Sequence, residues 1–404
     1  MMGCDARVRA WWSNRQALDG RLFGGCAKEI LCQTGWARSV AGVNPYLTLL
    51  SRGGIRRREA EEALARLEIH ELPSARGCTY VVPSTDFALA LKVGQGIGTE
   101  ADLRLARSLG VTDREVDKLR DAVVSALSKG PLDPDALRGS TGGTVRNLGE
   151  AGKKKGMTST LPLTLGLLQS EGEIRRIPTN GRMDQQRYSY ALWRPNPLAG
   201  FRLSTEEACT ELARRYFGWI GPASLGHFQW FSGLGVKAAK AAIEPLALES
   251  PKGMEGYLIL PESRASFEAF KPPREPEYVL VSSLDGITHL RRNVEDLVDP
   301  ADRKNMVFCD KELKAIGGLS DLYNHAILDR GRIVGLWDYD VETQSIAWTS
   351  FVGKNKALEE AVRKTEAFVR DELGDARSFS LDSPKSRAPR IAALRRTGGG
   401  ANSR

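Results

Sequence analysis

The chain has 404 residues, 41% of them apolar and 27% charged, the balance of a globular protein with room for two to four domains. No apolar run approaches the length of a membrane span, and the opening MMGCDARVRAWW lacks the apolar stretch of a signal peptide. The net charge of +8, from 58 basic and 50 acidic residues, favours an anionic partner.

In the first hundred residues, Trp11, Trp12 and Leu18 mark the inner face of a helix that Gly24 and Gly25 break. Residues 36–50 (WARSVAGVNPYLTLL) continue in helical style, interrupted by Gly42 and Pro45. Arg56, Arg57 and Arg58 open a helix that runs to residue 67, and residues 70–73 and 77–83 read as two strands around Ser74 and Ala75. Next, Thr112 and Glu115 form a capping box. Val116, Leu119, Val123, Val124 and Leu127 follow at helical spacing until Gly130 and Pro131 stop the helix. Residues 133–137 are a second, short helix. The glycine-rich RGSTGGT after it lacks the Gly-Lys-Ser/Thr ending of a phosphate loop and reads as a flexible connection.

Residues 151–193 carry the strongest pattern. Lys153, Lys154 and Lys155 precede an apolar helix at 161–168, which Gly172 would end. Strands at 174–177 and 187–193 flank a turn of Pro178, Asn180 and Gly181. A short apolar helix leading into a basic hairpin is the layout of a winged helix, in which the helix enters the major groove and the hairpin rests on the backbone or minor groove. From residue 138 to 187 there are nine Lys/Arg against four Asp/Glu. Lys153, Lys154, Lys155, Arg175, Arg176, Arg182, Gln185, Gln186 and Arg187 are therefore the expected DNA-binding residues. The blander alternative is a solvated basic loop and an ordinary hairpin.

A third section starts with a capping signal, Ser204 and Glu207, then helices at 204–217, 223–231 and 236–246 and a strand at 257–261. The proline-rich KPPREP is a boundary. Strands follow at 278–282, 326–328, 332–338 and 345–351, then a charged helix at 356–373. From residue 384 there are six Lys/Arg and no acid, the composition of a disordered tail. The expected fold is α+β: three tandem winged-helix units (1–100, 101–200, 201–272), a small β-rich, barrel-like domain (276–375) and a disordered basic tail (384–404). Six scattered Cys, with no C-x-x-C pair and no His at ligand spacing, predict a reduced, cytoplasmic chain with no metal and no cofactor.

Three such units followed by a β domain resemble the AlkZ-like winged-helix DNA-binding family, whose members include DNA glycosylases that excise alkylated or crosslinked bases. The matching pieces are RQALDG (15–20), SVAGVNPYLTLLSR (39–52), RGCTYVVPSTD (76–86), QQRYSYALW (185–193), LARRYFGWIGPASLGHFQWFSGL (212–234) and DRGRIVGLWD (329–338). The family's catalytic signature is usually two glutamines separated by one residue after Gly-Val. Their amide oxygens orient a water beneath the anomeric carbon and stabilise the developing sugar cation. The resemblance places Asn44 and Tyr46 at those positions, and Tyr80 where the first ribbon often carries His. Against a catalytic role stands the alternative of a helix-breaking turn with Tyr46 in the core. Asp86, by motif the carboxylate nearest that region, is a general base or a cap. Asp285 resembles a family loop, Arg291 and Arg292 beside it are phosphate contacts or an exposed pair, and the four His are structural. The resemblance implies a monomeric glycosylase, or a degenerate relative, acting on double-stranded DNA in the nucleoid. The alternative is a non-enzymatic winged-helix regulator.

Overall fold

The computed structural model describes residues 5–399. The chain begins with α1 (Ala6–Arg15), α2 (Ala27–Thr34), β1 (Ala37–Arg38), α3 (Asn44–Gly53), α4 (Arg57–Ala65), β2 (Ile69–Pro73) and β3 (Thr79–Pro83). The three strands form an antiparallel sheet in the order β1-β3-β2. Residues 36–50 are thus not continuously helical: a two-residue strand and a loop precede α3, which starts at Asn44 with Pro45 in its first turn. In the ribbon, Ala37 and Glu71 both lie opposite Val81, so Ile69 and Glu71 share one face while His70 and Leu72 share the other.

The middle of the chain is helical: α5 (Phe87–Gly94), α6 (Thr99–Ser108), α7 (Asp113–Leu127), α8 (Pro134–Ser140), α9 (Gly149–Lys154) and α10 (Thr160–Ser170), followed by the hairpin β4 (Ile174–Pro178) and β5 (Tyr188–Leu192). The expected capping box starts α7. The Thr112 hydroxyl accepts from the Glu115 amide at 3.2 Å, and the Glu115 carboxylate accepts from the Thr112 amide at 2.7 Å. One face of α10 buries Leu161, Leu165 and Leu168 with Leu119 and Val123 of α7, while the other buries Leu163 and Leu167 with Val116. A helix apolar all round is an interior helix. The expectation that it enters a major groove is therefore corrected: α10 is enclosed, and the exposed cations nearby are the lysines of α9 and Arg187 of the hairpin.

The third section comprises α11 (Thr205–Ile220), β6 (Ala223–Ser224), α12 (Leu225–Ser232), α13 (Val236–Ile243), β7 (Tyr257–Leu258) and α14 (Pro261–Ala269). Its first helix carries the Ser204–Glu207 capping box. Then come β8 (Tyr278–Val281), α15 (Gly286–His289), β9 (Met306–Cys309), β10 (Glu312–Ala315), β11 (His325–Asp329), β12 (Arg332–Asp340), β13 (Ser345–Ser350), α16 (Lys356–Phe368) and α17 (Pro384–Gly399). Strands β13-β12-β11-β8 make one antiparallel sheet. Among the described residues β13 pairs only with β12 and β8 only with β11, so the sheet is open and not barrel-like.

The core joins the two ends of the chain. Leu31 of α2 and Tyr46 and Leu47 of α3 are buried in one cluster with Leu280, Ile327, Trp337 and Phe368. Trp11 and Trp12 of α1 pack with Val281, Leu328 and Ile333. The expected disordered tail is also corrected. Residues 384–399 form α17, whose Ile391 and Leu394 are buried and whose Arg390 reaches Asp338 on β12 and Asp382. The composition is that of a disordered segment, but three of its arginines pair with carboxylates elsewhere: Arg387 with Asp375, Arg390 with Asp338 and Asp382, and Arg395 with Asp340. Residues 400–404 of the expected tail lie outside the described residues.

Candidate active-site groove

The ribbon β1-β3-β2 and the hairpin β4-β5 face each other across a groove closed on a third side by residues 375–383. Two adjoining cavities, of about 360 and 570 Å³, share Gln186 and Ser380 in their walls. The loop of residues 38–44 forms one wall and is held by the C-terminal segment. The Val43 amide donates to the Arg377 carbonyl at 2.9 Å, the Ser380 amide donates to the Val40 carbonyl at 3.0 Å, and Arg377 Nε donates to the Ala41 carbonyl at 2.9 Å. Gly42 permits this approach, because a Cβ there would lie 2.1 Å from the Ser378 carbonyl oxygen. Phe379 and Leu381 stand at the groove's mouth, Leu381 being 82% exposed.

Glu71 lies in the groove wall and is only 4% exposed. The Ser39 hydroxyl donates to its Oε1, and its Oε2 makes no hydrogen bond of normal geometry. The Tyr188 phenol and the Arg176 guanidinium lie beside it, and Arg176 stacks on Tyr188 at 4.9 Å and donates to Thr79 Oγ1 at 3.3 Å. Burial raises the carboxyl's pKa, with Arg176, Ser39 and Tyr188 opposing the shift. Two other carboxylates line the groove, each tied to an arginine: Asp184 to Arg182, and Asp375 to Arg387 at 2.6 Å.

The two motif-matched residues do not face the groove. Tyr46 is 0% exposed; its hydroxyl accepts from the Met183 amide at 3.1 Å and donates to Glu61 at 3.3 Å. Asn44, 1% exposed, opens α3 and donates through Nδ2 to the Arg38 carbonyl at 2.8 Å. The expectation that both polar groups meet in a DNA-sized channel is not met. Pro45 fixes the start of a helix rather than splaying the two side chains into a cleft, and the helix buries them.

The predicted DNA-binding residues separate into three groups. Lys153, Lys154 and Lys155 are exposed at the end of α9, away from the groove walls. Arg176 and Arg182 are engaged within the protein, Arg182 with Asp184 and with the Leu373 carbonyl at 2.8 Å, and Arg175 is half-buried. Gln185, Gln186 and Arg187 line the groove. Gln185 accepts from Asn180 Nδ2 at 2.8 Å, while Arg187 is exposed and makes no ion pair among the described residues.

Asp86 is fully buried, accepts from Trp36 Nε1 at 2.9 Å and pairs with Arg215 at 3.2 Å, so it is neither open to substrate nor a side-chain cap. His70 packs between Phe87 and Trp193, and burial, with Arg175 and Arg176 nearby, pushes its pKa down to about 3, so it is a neutral core ring. Arg291 is buried over the Trp12 ring at 3.3 Å, whereas Arg292 is exposed.

Sequence reasoning missed two features. One is Glu71 itself, whose only signal is a carboxylate inside the apolar strand IHELP. The other is a basic–aromatic platform. Arg76 lies 3.5 Å and Arg292 4.2 Å from the Trp230 ring, and Arg38, in the groove wall, lies 5.5 Å from the Tyr80 ring. These three arginines surround His289, whose pKa burial and their charge push down to about 4. Among the described residues no cluster of His, Cys, Asp and Glu has the makings of a metal site, and no helix is long and apolar enough to cross a membrane.

Comparison with known proteins places this arrangement. The family profile described as "DNA glycosylase AlkZ-like" matches residues 36–379. The interstrand DNA cross-link repair glycosylase of Streptomyces sahachiroi is 20% identical over 388 residues, which span 92% of this chain and 97% of that protein. The solved structure of the Streptomyces sahachiroi DNA glycosylase AlkZ superposes with a TM-score of 0.67 at 19% identity, covering 94% of this chain and 99% of that one. The similarity of fold extends over nearly the whole chain.

Proposed function

The chain belongs to the AlkZ-like DNA glycosylase family, and from that premise we propose that it hydrolyses the N-glycosidic bond of alkylated or crosslinked bases in double-stranded DNA. The observation that carries this reading is the position of the groove. The loop of residues 38–44, which ends at the family's catalytic-motif position, meets the cationic hairpin there. The three helix–ribbon sections are read as winged-helix units arranged along the duplex, with β4-β5 as the wing that reaches its backbone. An N-glycosidase must draw the target nucleotide out of the stack or reach it in a groove. A cleft flanked by Arg187, Gln186 and the Arg38–Arg76–Arg292 platform suits a phosphodiester chain carrying an extruded base. In this reading Asn44 is a positioning residue that fixes the Arg38 carbonyl and hence the groove wall, and Tyr46 supports α3.

The test is incubation of the full chain with a duplex oligonucleotide carrying one N7-methylguanine, scored for abasic sites by alkaline cleavage. Enzyme-dependent cleavage at that position is the expected result. Binding without cleavage would favour the second reading, a DNA-binding relative without the reaction, to which the buried Asn44 and Tyr46 lend support.

Arg187→Ala should weaken binding to unrelated duplex sequences about equally. It should also lower the slope of log affinity against log salt by roughly one, the signature of one lost phosphate contact. An unchanged slope in a salt titration by fluorescence anisotropy would remove Arg187 from the interface.

A further inference from the structure

The position at which the family pattern asks for two glutamines holds instead two side chains facing inward, Asn44 and Tyr46. The water-activating group must then come from another element. Three carboxylates line the groove, and two of them are paired with arginines: Asp184 with Arg182, Asp375 with Arg387. Glu71 alone of the three makes no ion pair among the described residues. One of its oxygens is fixed by the Ser39 hydroxyl, and the other makes no hydrogen bond of normal geometry, its nearest polar neighbour being the Tyr188 phenol. A buried carboxylate costs free energy unless its surroundings satisfy it, and an unsatisfied carboxylate oxygen just behind a cavity wall is a place for a water or a cation.

We propose that Glu71 is the catalytic carboxylate of the groove, accepting the proton of the attacking water and stabilising the sugar cation. The proposal rests on the glycosylase reading above. For a base that alkylation has made cationic, the chemistry balances without a co-reactant. The C1′–N9 bond breaks with its electron pair going to the base, which leaves neutral. Water oxygen forms the new bond to C1′, and the proton it sheds goes to Glu71 and then to solvent. Ser39 fixes the rotamer by holding Oε1, and the water reaches Oε2 when the Tyr188 phenol beside it swings aside. Tyr188 and Arg176 close the other sides. Glu71 sits on β2, a paired strand, so its geometry is set by the ribbon rather than by a loop.

The experiment uses the full chain, the wild type and Glu71→Gln, with two DNA probes. The first is a duplex with a single N7-methylguanine, followed in single turnover. The second is a duplex carrying a cationic azasugar in place of one nucleotide, compared with the same duplex carrying a neutral tetrahydrofuran. Glu71→Gln should keep wild-type affinity for undamaged duplex, lose at least about 100-fold in excision rate, and lose the preference for the azasugar over the tetrahydrofuran. A folded Glu71→Gln chain with the wild-type rate overturns the proposal. Should that variant fail to fold, Ser39→Ala, which removes only the hydroxyl on Oε1, must lower the rate by about tenfold or more; a wild-type rate overturns the proposal equally. A wild-type chain that excises nothing defeats the glycosylase reading instead. Glu71 is then judged on the azasugar preference alone, and its absence in the wild type overturns the role of the carboxylate.

Discussion

Asp285→Ala is expected to destabilise the whole fold by about 3–5 kcal/mol, the cost of removing one partner of a buried ion pair. Asp285 is fully buried and binds Arg52 through both oxygens, at 2.7 and 2.8 Å, while its Oδ1 also accepts the Ile287 amide that starts α15. Arg52 is 1% exposed and donates in addition to Gln16 Oε1 at 2.9 Å. Gln16 in turn donates to the carbonyls of Thr34 and Trp219. One network thus ties the end of α1, the end of α2, α3, α11 and the start of α15. The alanine variant strands a guanidinium in the interior, where its desolvation is no longer offset. Against a total stability of roughly 5–15 kcal/mol for a typical domain, this is a large fraction, and the melting temperature should fall by roughly 5–10 °C. Asp285→Asn keeps an oxygen for the Ile287 amide and should cost less. The double change Arg52→Met with Asp285→Asn should recover part of the loss, because neither charge then remains unpaired. A calorimetric scan in which Asp285→Ala melts with the wild type would show that the pair does not hold these elements together.

That network also shows what a linear reading reaches and what it does not. The capping boxes at Thr112 and Ser204 are local, four-residue signals, and both stand in the structure. The four strands of the C-terminal sheet were legible because turn residues separate runs of apolar and β-branched side chains; each falls within a few residues of its predicted place. The Asn180-Gly181 hairpin was legible for the same reason. By contrast β1 is two residues long and exists only because β3 lies beside it, so nothing in WARSV announces it. The apolar helix at 161–168 was found, but not its burial on two faces, which depends on α7 and on residues before it. Glu71 was passed over because a carboxylate in a strand is usually solvated, and only the fold reveals that Ser39 and Tyr188 enclose it. The motif position of Asn44 and Tyr46 was legible as a position. Their orientation was not, because it follows from α3 packing against the C-terminal sheet, whose strands come more than two hundred residues later in the chain.

Arg390→Ala should act more locally, on the segment that closes the groove. Arg390 lies on α17 and donates to Asp338 at 3.1 and 3.2 Å and to Asp382 at 3.1 and 3.2 Å. Asp338 also accepts from Asn324, and Asp382 accepts from the Ser378 amide at 3.0 Å. Both carboxylates are buried, so alanine at 390 leaves two adjacent anions in the interior without their cation. The cost, again about 3–5 kcal/mol, falls first on the piece that can leave: α17 and residues 375–383, whose release moves both anions into water. Such a piece opens as a unit when its anchor is lost. The structure ties that unit to the groove through the Val43–Arg377 and Ser380–Val40 hydrogen bonds and the close contact at Gly42. Hydrogen exchange at the Val43 and Ser380 amides should therefore rise steeply in Arg390→Ala, and a protease should cut within 375–383. The amides of β4 and β5 should stay near wild type, because the hairpin packs on α7 and α10 and not on α17. The proposed excision should fall with the closing segment, while affinity for undamaged duplex, which we propose rests on Arg187 and the lysines of α9, should change little. If Val43 and Ser380 keep their protection in a folded Arg390→Ala chain, the segment is held by its backbone contacts alone, and the buried cation serves only to fasten α17 to the sheet.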